Sequence, residues 1–331
     1  MAVPLVIAVD AMGGDHAPAA IVEGAVAALD QGLGPIVLAG DREQISGHLA
    51  GREPPGLEIR HCTQVVEMAE SPSQALRRKP DSSISVAAGL VRAGQAAAVV
   101  SAGNSGAAMG AALLTIGTIP GVERPAIATL LPAKKGRVVL LDAGANSDCK
   151  PSHLLQFARM GAIYAQAVMG VPQPRIGLLS IGEEASKGNE LTKITHAMMA
   201  ASVPTFTGNV EGKDLFSGAV DVVVCDGFVG NVALKAGEGF ADLFAALLQQ
   251  ELARFPELEA NEQLRQALER FGRTIDYAEY GGALLLGVKG VCVICHGRSG
   301  PKAIAQAIHV AHEAAAGGVT DKIAASFGQP A

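Results

Sequence analysis

Short apolar runs rich in Val, Ile and Leu alternate along the chain with longer stretches in which apolar residues recur at helical spacing. The runs Leu5 to Val9, Ile36 to Ala39, Ala97 to Val100, Val138 to Leu141, Ile176 to Leu179, Val222 to Val224 and Val291 to Ile294 read as buried strands. The helical period occupies Ala19 to Leu29, Ser83 to Arg92, Ala107 to Ile116, His153 to Val168, Glu190 to Met199, Gly237 to Phe255 and Pro301 to Ala315. Alternation of this kind implies right-handed crossovers. It predicts an α/β fold, a largely parallel sheet with helices on both faces, over a single catalytic domain spanning 1–331.

One segment behaves differently. Phe240, Leu243, Phe244, Leu247, Leu248 and Leu252 recur at helical spacing up to Arg254-Phe255-Pro256, and a charge-rich helix from Leu258 to Phe271 follows. This hairpin, 237–272, reads as a core helix with a solvated partner, as a dimer contact, or as a membrane-touching tip carrying Phe255.

Two patterns invite misreading. The uncharged stretch from Gln95 to Val122 is long enough to cross a bilayer, but Asn104, Ser105 and several glycines interrupt it and Pro120-Gly121 closes it, so a strand-loop-helix unit is expected. Cys292-Val293-Ile294-Cys295-His296 has the spacing of a haem attachment site, yet on a strand positions i and i+3 face opposite ways, which argues against haem.

Composition narrows the class further. Of the 331 residues 49% are apolar and only 4% aromatic, so the interior is filled mainly by Ala, Val, Leu and Ile. A net charge of -6 gives no basic footprint for nucleic acid, and none is expected as a partner. The first ten residues lack a basic n-region and read as a strand, which points to the cytoplasm. Five widely spaced cysteines fit reduced thiols better than a disulfide framework.

The chemistry gathers just after the strands. Six loops share one grammar, a polar residue and a glycine followed by more polar residues: Asp10 to His16, Ser101 to Gly106, Asp142 to Asn146, Ser180 to Glu184, Asp226 to Asn231 and His296 to Gly300. In a parallel sheet such ends share one edge, where ligands bind. Gly103-Asn104-Ser105-Gly106 best suits a phosphate, since small residues let backbone N–H groups approach an anion at a helix N-terminus; its alternative is a plain helix cap. No Walker motif is present, and no G-x-G-x-x-G follows the first strand, so a nucleotide is not indicated.

Lys187 either neutralises phosphate or a developing oxyanion, or pairs with a neighbouring glutamate. Asp10, Asp15, Asp142, Asp148 and Asp226 either converge on a hard metal or cap helices. His16 and His296 are candidate proton carriers, whereas His309 and His312 lie on a terminal helix and are expected to be exposed.

With these residues in view the chain resembles the PlsX family of phosphate acyltransferases, nearly end to end. The resemblance rests on Asp10-Ala11-Met12-Gly13-Gly14-Asp15-His16-Ala17-Pro18, Arg77-Arg78-Lys79 with Asp81-Ser82-Ser83, Ser101 to Gly106, Asp142 to Asn146, Asp148-Cys149-Lys150-Pro151, Lys187-Gly188-Asn189-Glu190-Leu191, Cys225 to Asn231 and Leu286-Gly287-Val288-Lys289-Gly290. Ser105, Val229 and Arg298-Ser299-Gly300 depart from the family's usual residues.

The resemblance implies a fold like isocitrate and isopropylmalate dehydrogenases and phosphotransacetylase, a homodimer, and peripheral contact with the inner face of the cell membrane. It implies transfer of a fatty acyl group from acyl-acyl carrier protein to inorganic phosphate, without a cofactor or metal. A downstream acyltransferase would then use the acyl phosphate for phospholipid synthesis.

Under this reading the catalytic candidates are Lys187, Asn104, Asp142 and His16. Phosphate or substrate binding falls to Asp10, Gly13, Gly14, Gly103, Ser105, Gly106, Asn146, Asn189 and Asn231. The acidic carrier is expected to dock on Arg77, Arg78 and Lys79, or on Lys134 and Lys135 with Arg137. Two rivals are a metal-dependent hydroxyacid dehydrogenase of the same fold, which lacks the expected substrate-carboxylate arginines in these loops, and a lipid-surface scaffold built on the Phe240 to Phe255 helix.

Overall fold

The structure, a computed structural model, describes residues 5–255, 261–275 and 281–328. In chain order its first half comprises β1 (Ile7–Asp10), α1 (Ala19–Asp30), β2 (Ile36–Gly40), α2 (Arg42–Leu49), β3 (Leu57–His61), α3 (Pro72–Arg78), α4 (Ser83–Arg92), β4 (Ala98–Ser101) and α5 (Ser105–Ala111), which runs on into a π turn at Ala112–Ile116. There follow β5 (Ala126–Pro132), β6 (Arg137–Leu141), α6 (Pro151–Val168), β7 (Ile176–Leu179), α7 (Glu190–Ser202), β8 (Phe206–Val210) and β9 (Val222–Val224). The chain continues through α8 (Gly227–Leu252), α9 (Glu262–Ile275), β10 (Ala283–Leu286), β11 (Val291–Ile294), α10 (Pro301–Ala316) and α11 (Val319–Phe327).

Among the described residues the strands form an eleven-stranded sheet in the order β3-β2-β1-β4-β11-β10-β5-β6-β9-β7-β8. Period-two alternation splits each strand between two apolar layers. Ile7 and Val9 pack into one core and Ala8 into the other; Val139 and Leu141 likewise oppose Val138 and Leu140. Cys292 and Cys295 fall into different cores, as strand geometry requires. Helices α1 and α10 cross closely on one face because Gly24 presents no Cβ, which would stand 2.6 Å from the Ile304 Cβ.

The sheet is parallel within each half, but the halves run in opposite directions. Strands β3, β2, β1, β4 and β11 share one direction. Strand β10 is antiparallel to both β11 and β5, and β5 is antiparallel to β6, so β6, β9, β7 and β8 run the other way. The expectation that all six polar loops share one edge is therefore corrected. The loops after β1, β4 and β11 leave one edge of the sheet, and those after β6, β7 and β9 leave the other.

Helix α8 spans the sheet between these edges. It begins at Gly227, well before the expected Gly237, because Gly227 and Gly230 are helical glycines rather than loop residues. A Cβ at Gly227 would lie 2.8 Å from the Asn146 backbone, and one at Gly230 would collide with the Asp142 carbonyl. Asp226 caps the helix by accepting from Val229 N at 3.0 Å. By Gly237 the helix lies against the Phe216 ring, whose carbonyl accepts Lys134 N in the β5–β6 turn, at the first edge.

Past that point α8 pairs with α9, the Phe244 and Phe271 rings meeting edge to face at 5.9 Å. Phe240, Leu243, Phe244 and Leu247 are exposed, so this part of α8 is not a core helix of the isolated chain. The expected second helix begins at Glu262 rather than Leu258, which lies outside the described residues. No described helix is long and apolar enough to cross a membrane.

Candidate functional site

At the first edge, Asp10 ends β1 with its side chain buried, and Ser101 ends the adjacent β4. The Ser101 hydroxyl donates to Asp10 Oδ2 at 2.7 Å and accepts Gly103 N at 3.1 Å, so the carboxyl governs the start of the glycine loop through one intermediary. Gly13 packs against that loop so tightly that a Cβ would stand 2.9 Å from Gly103 N. Burial raises the Asp10 pKa above the ordinary carboxylate value, opposed by the Ser83 and Ser101 hydroxyls and the Met12 and Gly13 amides. Asp10 Oδ1 is nevertheless left without a well-formed hydrogen bond. Asp15 N donates to Gly297 O at 2.8 Å and binds the β1 and β11 loops together.

The roles expected around Asn104 change on inspection. Its Oδ1 caps α5 by accepting Ala107 N at 3.1 Å, and its Nδ2 donates to Met68 O at 2.9 Å and Glu70 O at 3.0 Å. The amide is engaged on both sides as a brace for the loop. Gly106 owes its size to α3, since a Cβ there would meet Pro72 Cγ at 2.6 Å. Ser105 and His16 are exposed and accessible from this edge, beside Gly14.

At the second edge, Asp142 is a hub. Its Oδ1 accepts Ile127 N, Gly144 N and Ala145 N at 3.0–3.1 Å, and its Oδ2 accepts Asn146 N and Asn146 Nδ2, both at 2.8 Å. Burial raises its pKa and these donors oppose that. All five partners only donate, so they match an ionised carboxylate, and a carboxylic proton would find no acceptor among them. Its lone pairs are thus engaged in building the loop. Asn146 is likewise engaged, its Nδ2 also reaching Pro125 O at 2.8 Å. Asn189 caps α7 by accepting Thr192 N at 2.9 Å.

Lys187 and Asn231 remain available. Lys187 is exposed and makes no ion pair among the described residues, which sets aside the alternative of a glutamate-paired surface lysine. The loop behind it is closely packed: Gly188 has φ +102°, and a Cβ there would lie 2.8 Å from Ser180 Oγ. Asn231 stands over Gly144, whose missing Cβ would come within 3.5 Å of Asn231 Oδ1.

Among the described residues no three His, Cys, Asp or Glu side chains stand close enough to hold a metal ion, so the aspartates do not converge. Lys79 leaves the expected basic triad, because its ammonium binds Glu70 at 2.6 Å and Val65 O at 2.7 Å, while Arg77 and Arg78 stay exposed. His309 and His312 are half-buried rather than exposed, and His309 Nε2 stands 3.1 Å from Glu313 Oε1.

Sequence reasoning missed Lys235 and Glu238. They form an ion pair at 2.7 Å two turns into α8, flanking the point where the helix reaches the first edge. Their signal, spacings of four and seven from Asn231, is legible only once the helix is known to start at Gly227. Both charges act on His296, in the loop after β11. Burial lowers its pKa, Lys235 and Arg298 push the same way, and Glu238 and Asp15 oppose. Its Nδ1 accepts Arg298 N at 3.4 Å.

Residues 5–322 match the family model described as "Fatty acid synthesis protein". The chain belongs to that family. It is 53% identical over 97% of both chains to a phosphate acyltransferase of Desulforamulus reducens. It is also 51% identical to one of Syntrophotalea carbinolica, over 98% of this chain and 94% of that one. As a member of this family the chain is an acyltransferase. Its fold matches a phosphotransacetylase from Streptococcus pyogenes, with TM-score 0.63 and 16% identity over 94% of each chain. A 4-hydroxythreonine-4-phosphate dehydrogenase from Klebsiella pneumoniae matches with TM-score 0.54 and 16% identity, over 94% of this chain and 98% of that one. The expected dehydrogenase-like α/β fold, shared with phosphotransacetylase, is borne out.

Proposed function

We propose that this acyltransferase moves a fatty acyl group from acyl-acyl carrier protein to inorganic phosphate. The relatives' shared name supports the acceptor, and the observation that carries the reading is the first-edge site: closely packed glycine loops after β1 and β4, with Ser105 and His16 open beside them. A phosphate oxygen attacks the thioester carbonyl, the C–S bond breaks, and the phosphate's remaining proton passes to the departing thiolate. Monohydrogen phosphate is already nucleophilic, so the protein's work is positioning and charge neutralisation.

The backbone of Asn104 to Gly106 and the Ser105 hydroxyl cradle the phosphate; the Asn104 side chain, Asp10 and Asp142 hold loops in place. Six strand steps separate β4 from β7, which puts Lys187 on the order of 25 to 30 Å from the Ser105 loop of its own chain. Lys187 therefore reaches the phosphate only from the second copy in a homodimer. The exposed apolar face of α8 supplies a contact for that copy, with the hairpin's far end meeting the inner face of the cell membrane. Sedimentation of the purified chain and its flotation with anionic vesicles test these two contacts separately.

The purified protein is expected to form hydroxylamine-trappable acyl phosphate from acyl-acyl carrier protein only when phosphate is present. No product across a range of chain lengths would overturn the reading. The product is a reactive mixed anhydride, which calls for a downstream acyltransferase that consumes it.

The acidic carrier docks beside the first edge, on Arg77 and Arg78, because α3 packs on Gly106 through Pro72. Reversing both charges is expected to raise the KM for the carrier substrate about tenfold and to flatten its salt dependence, with kcat held. Unchanged kinetics at low salt would remove these arginines from the dock.

A further inference from the structure

Helix α8 carries a polar stripe that nothing in the proposed reaction yet uses. Asn231, Lys235 and Glu238 share one face of it, at spacings of four and seven. The helix is fixed at both ends of this stripe. Gly227 N donates to Asn146 O at 2.7 Å at the second edge, and Gly237 lies under the Phe216 ring at the first, where Phe216 O accepts Lys134 N at 2.9 Å. Strand β5, which ends in that turn, is two strands from β11, about 10 Å along the sheet, so this part of α8 reaches the same edge as the loop after β11.

The two sides differ in charge arrangement. Glu238 is partly buried, 18% exposed, and its carboxylate holds the Lys235 ammonium, which is 46% exposed. Opposite stand His296, Arg298 and Asp15, with Asp15 N bound to Gly297 O. The charges on Lys235, Glu238, Arg298 and Asp15 all act on the His296 ring, and backbone hydrogen bonds from Arg298 N to His296 Nδ1 and from Asp15 N to Gly297 O hold the second set together. A surface ion pair of this spacing contributes little by itself. A lysine oriented by a more buried glutamate toward a second cation and a histidine is suited to an oxyanion.

We infer that Lys235 is a substrate-binding residue, a cation oriented by Glu238 that receives a phosphate group between α8 and the loop after β11. The phosphate group is either the attacking inorganic phosphate or the phosphodiester on the carrier's pantetheine arm. The inference rests on the proposed reaction and adds a residue to it.

The experiment uses the full-length protein and compares wild type with Lys235→Met, which keeps the aliphatic stem, and Lys235→Arg, which keeps the charge. Lys235→Met is expected to raise the KM for inorganic phosphate tenfold or more with an unchanged melting temperature, and Lys235→Arg to stay within threefold of wild type. If the pantetheine phosphodiester is the ligand, the KM for acyl-acyl carrier protein rises instead, and the difference from wild type disappears with an acyl-pantetheine donor that lacks the phosphate. Both KM values within twofold of wild type in Lys235→Met overturn the inference while leaving the acyl-phosphate reading intact. A wild-type protein that forms no acyl phosphate overturns both. Should the methionine variant fail to fold, Lys235→Gln measured in the same way decides.

Discussion

Lys187→Ala is expected to lower kcat by about a hundredfold to a thousandfold, the loss that follows removal of one donor to a developing oxyanion, roughly 2.7 to 4 kcal/mol. The melting temperature should hardly move, because the side chain is exposed and pairs with no carboxylate among the described residues. A surface lysine of no consequence would leave turnover intact, and that result would remove Lys187 from the mechanism. The distance argument sharpens the test. If Lys187 acts in the partner's site, refolding Lys187→Ala together with an inactive first-edge variant such as Gly103→Val should restore activity. Half of the dimers would then be hybrids with one intact site, giving about a quarter of wild-type activity. Absence of recovery, with hybrids shown to form, would place Lys187 in its own chain's chemistry or outside it.

The division of the site between two sheet edges is also where the sequence is least legible. The seven expected strands all exist, because each is buried on both faces and therefore apolar throughout. Strand β3 is different: Leu57 and Ile59 are half-buried, while Glu58, Arg60 and His61 face outward, so it lacks a continuous apolar run. Strand β8 contains Gly208 and Asn209, both poor strand signals. The decisive omission is β5. A four-residue turn, Ala133 to Gly136, joins it to β6, with Ala133 N donating to Gly136 O at 3.2 Å and Gly136 at φ +74°. So short a link permits only antiparallel pairing. Recognising Lys134-Lys135-Gly136 as a hairpin turn would have revealed that the sheet reverses, and with it that the six loops divide.

The residue types in the site were easier to read than their tasks. Polar groups after strands signal a ligand edge, but Asn104, Asn189 and Asp226 each cap a helix, and sequence cannot show whether a capping oxygen is also free for substrate. Conversely, Lys235 and Glu238 sit among alanines and glycines that resemble a linker. Their common face emerges only because Gly227 and Gly230 are helical, held by close approach to Asn146 and Asp142.

Asp142 gives the sharpest separation of framework from chemistry. Asp142→Ala leaves the amides of Ile127, Gly144, Ala145 and Asn146 without their acceptor in a site where the aspartate itself is fully buried. Each stranded donor costs about 1 to 3 kcal/mol before relaxation, and local water entry limits the sum, so a loss of roughly 3 to 5 kcal/mol is expected. Asp142→Asn should be milder, because one oxygen persists, yet still destabilising, since its new NH2 group meets N–H donors. The measurement is the guanidinium unfolding midpoint together with kcat per folded molecule at low temperature. A carboxylate that builds the 142–146 loop and seats the start of α8 predicts a large drop in midpoint, with the asparagine variant's folded fraction retaining most of its turnover. The opposite pattern, an unchanged midpoint with turnover abolished, would return Asp142 to the reacting atoms.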